Sequence, residues 1–241
     1  MDKILVFEIW GDYAHFKKIY ATTSAVSYMI PPKTTIYGYV SAMLGLSKVN
    51  NEYLNSFKEG SCLIGLQIMN PIIMQRINTN LRAVLGRMKP NGNRKPTMVE
   101  YVYQPKYRLY FQHTDSKIYN QLKNSLVEHT SVYTLSLGLA NLISNFKWVG
   151  EYSVVKKGGD NIPINSVIPR SKFIQFDIDG SIKNGNEIVE VSQFSMEMDN
   201  ERNVTKRDDI LLDRKGKPIS ASVKEYYQIA LNQESVNVML F

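Results

Sequence analysis

The chain has 241 residues, of which 44% are hydrophobic, a composition that suits one large globular domain or a domain with an appendage. Its single cysteine excludes an intrachain disulfide, and its three histidines argue against a zinc site, so we expect no metal and no other cofactor. The formal net charge is +7, and residues 76–110 carry all of it, with eight basic residues against one acid. Charge concentrated in one segment favours a polyanionic partner that is met at one place.

The first twelve residues do not resemble a signal peptide, because their apolar run is short and is interrupted by Glu8. No stretch of the sequence approaches the roughly 18 apolar residues that a membrane span needs. We therefore expect a cytoplasmic protein with no membrane partner.

Residues 4–10 form an apolar and β-branched run with one glutamate, which predicts a central strand. After a hydroxyl-rich loop, the pair Pro31-Pro32 predicts the start of a helix over residues 33–46, because proline suits the first turn. Thr34 or Thr35 can help to cap this helix.

The predicted helix has an apolar face and an opposite face of small residues, which includes Gly38 and Gly45. Glycine inside a helix costs roughly 0.5–1 kcal/mol relative to alanine, so something is expected to approach this face closely. Either a packed protein segment or a ligand fits that expectation.

A second strand is predicted for residues 61–74, broken near Asn70-Pro71. Residues 87–96 contain two prolines, an Asn-Gly turn signal and four charges, which predicts an exposed loop. The aromatic and apolar residues from 102 to 111 predict one outgoing strand. The segment around residues 76–110 therefore resembles a long hairpin with a basic tip.

A second amphipathic helix is predicted for residues 116–129, with Asp115 or Ser116 as its cap. Residues 133–146 suggest a short helix, and residues 147–155 a closing strand. The order strand, helix, strand, strand, helix, strand predicts an α+β protein with a ferredoxin-like (RRM-like) βαββαβ core over residues 1–155.

The pattern changes after this core, where residues 156–241 predict a β-rich C-terminal extension of short strands and turns. Within it, residues 197–217 carry many charges of both signs and predict a solvated loop. Residues 221–231 predict a helix.

The basic hairpin is the strongest functional signal in the sequence. Arginine and lysine neutralise phosphates, and several together bind nucleic acid with little sequence preference. The alternative is a solvated loop beside a strand whose side chains belong to the core, and the concentration of charge favours nucleic acid. The same two interpretations apply to four tyrosines, which could stack on unpaired bases or pack inside: Tyr101, Tyr103, Tyr107 and Tyr110.

A second candidate cluster precedes the first helix. Lys17 and Lys18 come directly before a loop rich in hydroxyl side chains. Such side chains commonly position a phosphate backbone, but they also satisfy the turns of an ordinary surface loop. The residues alone leave both interpretations open.

No motif of a phosphate-loop, zinc-dependent or serine-nucleophile enzyme is present. Metal-independent cleavage of RNA needs only a general acid or base and a group that activates the 2′-hydroxyl. His113 and Tyr37 are the candidates for these roles, although a lone histidine at a strand end is more often structural.

About forty amino-terminal residues carry a set of features in a fixed order. These are Gly11, Ala14-His15-Phe16-Lys17, Thr22-Thr23-Ser24, Ser27-Tyr28, Pro31-Pro32, Thr34, Gly38 and Leu44-Gly45-Leu46. Together they resemble the amino-terminal signature of the fifth Cas protein family of the RAMP superfamily, whose members are subunits of the type I CRISPR surveillance complex, Cascade. Beyond residue 50 the match is loose.

The resemblance implies an RRM-like ferredoxin core with an inserted β-hairpin thumb, and the basic segment 76–110 stands where the thumb would lie. It further implies a subunit, most like the type I-B branch, that binds the 5′ handle of the crRNA and caps the backbone filament in antiviral defence. The implied partners are crRNA, the backbone subunit and the large subunit, with target DNA met indirectly through the complex.

In one branch, type I-C, the same protein cleaves the repeat RNA with a tyrosine, a lysine and a histidine. Here Gln112 precedes His113 where that branch has a Lys-His pair, so the resemblance favours a subunit without catalytic residues. The alternatives are an I-C-like metal-independent endoribonuclease and a generic RRM-like RNA-binding protein.

From the two clusters and the resemblance we predict twelve RNA-binding residues and no catalytic or metal-binding residue. The twelve are Lys17, Lys18, Thr22, Thr23, Ser24, Tyr28, Arg76, Arg82, Arg87, Lys89, Arg94 and Lys95.

Overall fold

Seven antiparallel strands form the main sheet of this computed structural model, which describes residues 3–18, 25–82, 94–232 and 234–241. Three smaller sheets of two or three strands accompany it, so the protein is a strand-rich mixture of α and β structure. The elements in chain order are β1 (Lys3–Gly11), β2 (Tyr13–Ala14), β3 (Phe16–Lys17), β4 (Ser27–Tyr28), α1 (Lys33–Leu44), β5 (Cys62–Ile68), β6 (Ile73–Arg82), β7 (Arg94–Tyr103), β8 (Lys106–His113), α2 (Ser116–Val127), β9 (Ser144–Ile164), β10 (Ile168–Pro169), β11 (Phe173–Phe176), α3 (Ile178–Asn184), β12 (Ile188–Met198), β13 (Val204–Asp213), β14 (Ile219–Leu231) and β15 (Glu234–Val238). Two segments, Val49–Phe57 and Arg170–Lys172, are 3₁₀-helical.

Strand β1 lies inside the main sheet, whose strand order is β11-β14-β9-β1-β8-β5, with β15 paired to β14. Its odd residues, such as Leu5 and Phe7, join the core cluster that includes α1 and α2. Its even residues, Ile4 and Val6, join a second cluster built with β14 and β15 on the other face. Because both faces of β1 are covered, its residues 4–10 are apolar except for Glu8, which pairs with Lys106 and Arg108. The predicted central strand is confirmed.

Helix α1 lies in the connection between β1 and β5, and α2 lies in the connection between β8 and β9. The apolar positions of α1, Ile36, Val40 and Met43, are buried as the helical spacing predicts, and so are those of α2, which include Leu122. Among the described residues, no helix is long and apolar enough to cross a membrane.

The ends of the two helices are capped differently. The Asp115 side chain accepts a hydrogen bond from the Lys117 amide at 2.8 Å, so the predicted cap of α2 is confirmed. The predicted threonine cap of α1 is wrong, because Pro32 is the N-cap residue and no side chain caps this end. At its other end α1 stops at Gly45, whose φ of 69° is favoured by the missing side chain.

Strands β6 and β7 form a long antiparallel hairpin, with pairs running from Ile73–Tyr103 to Arg82–Arg94. The break predicted near Asn70-Pro71 is confirmed, since β5 ends before it and β6 begins after it. The single outgoing strand predicted for residues 102–111 is wrong, because a turn at Gln104 divides β7 from β8. The tip, residues 83–93, lies outside the described residues.

Strand β9 has 21 residues and pairs with two neighbours in succession. Its first part pairs with β1, and its second part, from Val154 onwards, pairs with β14. It therefore crosses the division expected between residues 155 and 156 without a break, and one continuous sheet contains strands from both expected parts.

Three predictions for the second half of the chain are wrong. Residues 133–146 contain no helix: residues 133–143 form bends and turns with one isolated bridge, and residues 144–146 begin β9. Residues 197–217 hold the end of β12 and the whole of β13, whose charged first half is largely exposed. Residues 221–231 belong to β14, which lies between β9 and β11 and has no helical turn. The general prediction of a β-rich region is confirmed.

Candidate nucleic-acid interface

A groove of about 500 Å³ opens beside the first turns of α1. Helix α1 contributes Thr34, Thr35 and Gly38 to it, and the segment of β3 contributes Lys17. Residues 134–139, before β9, form a further wall. The last part of β12 and the turn after it close the groove with Ser195, Met198 and Arg202. Distant parts of the sequence therefore meet at one concave surface.

The small face of α1 is used in two ways. A Cβ atom added at Gly38 would meet nothing within 4 Å, so the missing side chain there leaves space for the groove. A Cβ atom at Gly45 would lie 2.8 Å from a methyl group of Val132. A protein segment thus packs against one glycine, and the other faces the open groove.

The wall formed by residues 134–139 depends on Gly138, which has a φ of 100° and would drive a Cβ atom into the carbonyl of His15. The His15 amide donates to the Leu137 carbonyl at 3.0 Å. These contacts hold the wall tightly against the chain that leads to Lys17.

Lys17 and Lys18 lie on and just after β3, which pairs with β4 through Phe16–Tyr28 and Lys17–Ser27. Lys17 is exposed at the groove, whereas the Lys18 ammonium lies 5.8 Å above the ring of Tyr28. Tyr28 itself is fully buried, and its hydroxyl donates to the Gln193 carbonyl at 2.7 Å. Tyr28 therefore supports the groove from behind.

The root of the β6–β7 hairpin is bonded to this same segment through Glu100. The Glu100 amide donates to the Ala25 carbonyl at 2.9 Å, and its carboxylate accepts from the Ser27 amide at 3.2 Å. The carboxylate also lies 3.5 Å from Nε of Arg76, whose side chain is 67% exposed. The described parts of the two predicted clusters consequently belong to one connected structure.

Several predicted residues cannot be placed. Thr22, Thr23, Ser24, Arg87 and Lys89 lie outside the described residues, and for Arg82, Arg94 and Lys95 only the backbone is described, at the far end of the hairpin. The core interpretation of the tyrosines is confirmed for Tyr107 and Tyr110, which are fully buried, and for Tyr101, which is 9% exposed.

Sequence reasoning missed the contribution of residues 195–202 to the groove. A single serine and a single arginine give no local signal, and Arg202 falls in residues 197–217, which were expected to be a solvated loop. Burial of Ser195 and the position of Arg202 follow only from the pairing of β12 with β13.

The sequence matches the family model described as CRISPR-associated protein (Cas_Cas5) over residues 4–209. The chain belongs to this family. Its resemblance to the fifth Cas protein family, seen first in the amino-terminal residues, is thereby confirmed. A search of curated proteins found no match to the sequence.

Solved structures match this Cas5 family member at low identity, and the first two described here share its fold. A chain of a CRISPR RNA-guided surveillance complex matches with a TM-score of 0.53 and 8% identity, over 90% of this chain and 91% of that chain. A CRISPR protein from Archaeoglobus fulgidus matches with a TM-score of 0.50 and 15% identity, over 98% of each chain. A functionally uncharacterized protein, SMU1763c from Streptococcus mutans, has a TM-score of 0.38 and 13% identity, and the match covers 61% of this chain and 66% of that one.

The candidate acid–base residues of this Cas5 protein are engaged within the fold. His113 is 3% exposed, its Nδ1 accepts from the Asp115 amide at 2.9 Å, and its Nε2 lies 2.7 Å from the Ser56 carbonyl. Because Nδ1 accepts, Nε2 carries the proton and donates it to that carbonyl. The ring of Phe57 packs against His113 on one side and stacks on Tyr37 on another.

Tyr37 belongs to a buried polar cluster that joins α1 to β12. Its hydroxyl donates to the Glu197 carboxylate at 3.1 Å, and the Lys33 ammonium lies 2.9 Å from the same carboxylate. Burial, and then the Glu197 charge, raises the pKa of Tyr37 above its ordinary range. The phenol is held neutral and serves as a hydrogen-bond donor, while Lys33 neutralises Glu197.

No group of three histidine, cysteine, aspartate or glutamate side chains could hold a metal ion in the ranges that the structure describes. The Cys62 thiol is buried, and burial raises its pKa to about 12. It is therefore a poor metal ligand at neutral pH, since ligation requires the thiolate.

Proposed function

We propose that this protein is a non-catalytic subunit of a type I Cascade complex, most like that of the type I-B branch, which binds the 5′ handle of crRNA and caps the backbone filament. Its partners are the crRNA, the backbone subunit and the large subunit, and it meets target DNA through the complex, in the cytoplasm. Family membership over residues 4–209 and the fold shared with a chain of an RNA-guided surveillance complex support this proposal.

The observation that carries the proposal is the common root of the basic hairpin and the Lys17–Tyr28 segment. Glu100 bonds the hairpin to Ala25 and Ser27, so Arg76 and the described strands of the hairpin lie on one structural unit with Lys17 and Lys18. An extended set of basic side chains beside a groove suits a single RNA strand, because phosphates attract the charges along its whole length.

The strand order also supports the finer fold assignment. Each neighbouring pair in the order β9-β1-β8-β5 is antiparallel, and α1 and α2 lie in the two long connections, as in a ferredoxin-like or RRM-like core. The hairpin β6–β7 is inserted between β5 and β8. We assign it as the thumb of this core.

We propose that the protein has no catalytic activity because His113 and Tyr37, the candidate acid–base residues, are buried and hydrogen-bonded within the fold. Both ring nitrogens of His113 are bonded to backbone groups, and the Tyr37 hydroxyl is bonded to Glu197 behind a buried ion pair. A general base must reach the proton that it abstracts, and neither side chain is exposed to substrate. The endoribonuclease alternative would require this region to rearrange.

The proposal is tested by mixing the purified chain with a labelled repeat RNA in EDTA over a salt series, with native and denaturing gels run from each tube. The expected result is a shifted and intact RNA whose affinity falls steeply as salt rises. The triple variant Arg82→Ala, Arg94→Ala and Lys95→Ala should bind more weakly and reduce the salt slope. A control variant that also loses three positive charges, Arg170→Ala, Lys183→Ala and Lys215→Ala, should change neither the affinity for RNA nor the salt slope.

Two outcomes would contradict the proposal. A single metal-independent cut in the repeat, abolished by His113→Ala, would establish the ribonuclease instead. Copurification that yields neither a repeating backbone protein nor an RNA with a fixed 5′ end would remove the assignment to Cascade.

A further inference from the structure

The first turn of α1 lacks a cap where it meets the groove. Pro32 offers no side-chain acceptor, and its carbonyl accepts from the amides of Thr35 and Ile36 at 2.8 and 3.1 Å. Within the described ranges, the amides of Lys33 and Thr34 have no acceptor, and the turn contains no acidic residue. Unsatisfied amides at the start of a helix carry a partial positive charge and favour an anion.

An independent observation at the same place is the hydroxyl of Ser195 on β12. Ser195 is 1% exposed, forms part of the groove wall and has no hydrogen-bond partner among the described residues. Its strand passes the first turn of α1, because Glu197 pairs with Lys33 and the Gln193 carbonyl accepts from Tyr28. An unpaired buried hydroxyl is costly, and an oxygen atom of a ligand in the groove would satisfy it.

Two cations stand at the groove, Lys17 on β3 and Arg202 in the turn after β12. None of the described residues that line it is acidic. Arg202 has a φ of 66°, a backbone conformation uncommon for a long side chain, and its turn is held in place by the Asn51 amide group, which donates to the Asn200 carbonyl at 2.8 Å. The turn therefore presents its arginine at a fixed place.

We infer that this groove binds one phosphate group of an RNA strand at the amino end of α1. The Lys33 and Thr34 amides and the Ser195 hydroxyl donate to phosphate oxygens, while Lys17 and Arg202 balance the charge. A volume of about 500 Å³ lies in the range of nucleotide-sized ligands. The inference rests on the proposed RNA-binding function, and it gives the C-terminal part of the chain a direct role in it.

The phosphate could be an internal phosphodiester or a terminal 5′-phosphate, and a nuclear magnetic resonance titration separates the two. The full ¹⁵N-labelled chain would be titrated with a tetrauridylate that carries a 5′-phosphate, with the same oligonucleotide ending in a 5′-hydroxyl, and with inorganic phosphate. Large shifts of the Lys33 and Thr34 amide resonances are expected with either oligonucleotide. At least tenfold preference for the phosphorylated form identifies the terminal group, and equal affinity identifies the phosphodiester.

Variants of the groove supply a second readout. Ser195→Ala should weaken oligonucleotide binding about tenfold, as expected for a lost hydrogen bond to a charged group. The same variant should unfold at an equal or higher temperature, because it removes an unsatisfied hydroxyl. Arg202→Ala should also weaken binding about tenfold. The matched controls Ser235→Ala and Arg170→Ala delete the same groups at exposed positions away from the groove and should leave affinity unchanged.

The outcomes distinguish this inference from the proposed function, which is measured separately with the repeat RNA. The groove site is overturned, and the proposed function stands, if repeat RNA binds without shifting the Lys33 and Thr34 amide resonances. The same follows if it binds the Ser195→Ala variant as tightly as it binds the unmodified chain. Amide shifts with oligonucleotide or phosphate but no binding of repeat RNA would retain the phosphate site and overturn the crRNA assignment. If neither amide shifts nor binding of repeat RNA is observed, both the groove site and the crRNA assignment are overturned.

Discussion

Different substitutions at Gly38 test two properties separately: alanine tests the stability of α1, and glutamine compared with glutamate tests the effect of charge in the groove. Alanine restores helix propensity worth about 0.5–1 kcal/mol, and its Cβ atom meets nothing within 4 Å, so no steric cost offsets the gain. For a chain of this size that gain corresponds to a rise in Tm of roughly 1–4 °C. Thermal unfolding of Gly38→Ala measures it directly.

The effect of charge on RNA binding is tested by comparing Gly38→Gln with Gly38→Glu, whose new side chains have nearly the same shape and helix propensity. Only glutamate places a negative charge in the groove. If a phosphate binds roughly 6 Å away, their repulsion is about 0.7 kcal/mol at the dielectric constant of water and about 3 kcal/mol at an effective constant of 20. The glutamate variant should therefore bind RNA roughly 3- to 100-fold more weakly than the glutamine variant.

Fluorescence anisotropy with labelled RNA at low and high salt is the appropriate assay. The difference between the two variants should shrink as salt rises, because counterions screen the repulsion. Equal affinity of Gly38→Gln and Gly38→Glu at low salt would show that no phosphate lies near this face of α1. A lower Tm for Gly38→Ala would show that the space beside Gly38 is filled in solution.

The remaining predictions concern charge, burial and backbone conformation. Lys33→Met should cost about 3–5 kcal/mol in urea unfolding because it leaves Glu197 buried without its ion-pair partner, and adding Glu197→Gln should recover part of the loss. Burial would raise the pKa of the Glu8 carboxyl, but hydrogen bonds from Lys106 and Arg108 outweigh it and hold that pKa below its ordinary range. The ionised carboxylate therefore stabilises the fold at neutral pH, and this stabilisation is lost as the pH falls through the lowered pKa. Glu8→Gln should flatten this acid limb, and an unchanged limb would refute the assignment. The Cys62 thiol, with a pKa of about 12, should resist a thiol-specific reagent at pH 8 until the protein unfolds, and rapid native labelling would contradict its burial. Arg202→Gly should raise stability by up to about 1 kcal/mol while weakening RNA binding, and loss of both would assign Arg202 a structural role.

The first half of the fold could be predicted because its signals are local. The Pro31-Pro32 pair and the apolar spacing predict α1, and Asp115 with its following apolar positions predicts α2, and both helices begin where expected. The hairpin was predicted from its basic turn and from the β-rich flank on its outgoing side. The turn that divides β7 from β8 had a signal in Pro105, which argues against a continuous strand, whereas the φ of 44° at Gln104 had none.

The second half was predicted poorly because its strands depend on their neighbours. Residues 221–231 contain alanine, lysine, glutamate and leucine, which favour helices in isolation, yet β14 lies between two strands and buries Val223, Tyr226 and Ile229. The charges of β13 suggested a solvated loop, but they lie on the exposed first half of a paired strand. Tertiary pairing overrides local propensity in both cases.

The residues of the candidate site divide in the same way into those with a local sequence signal and those placed only by tertiary pairing. The second group belongs to the C-terminal part of the chain. Lys17 could be predicted as a residue of the candidate site because it lies within an amino-terminal signature, whereas Ser195 and Arg202 reach the groove only when β12 crosses α1. The buried pair Lys33–Glu197 fixes that crossing, so one ion pair aligns the donors of both parts around the same space. Residues 156–241 are therefore more than a cover for the second face of the sheet. Because this region completes the groove, its truncation should impair RNA binding even where the amino-terminal core still folds.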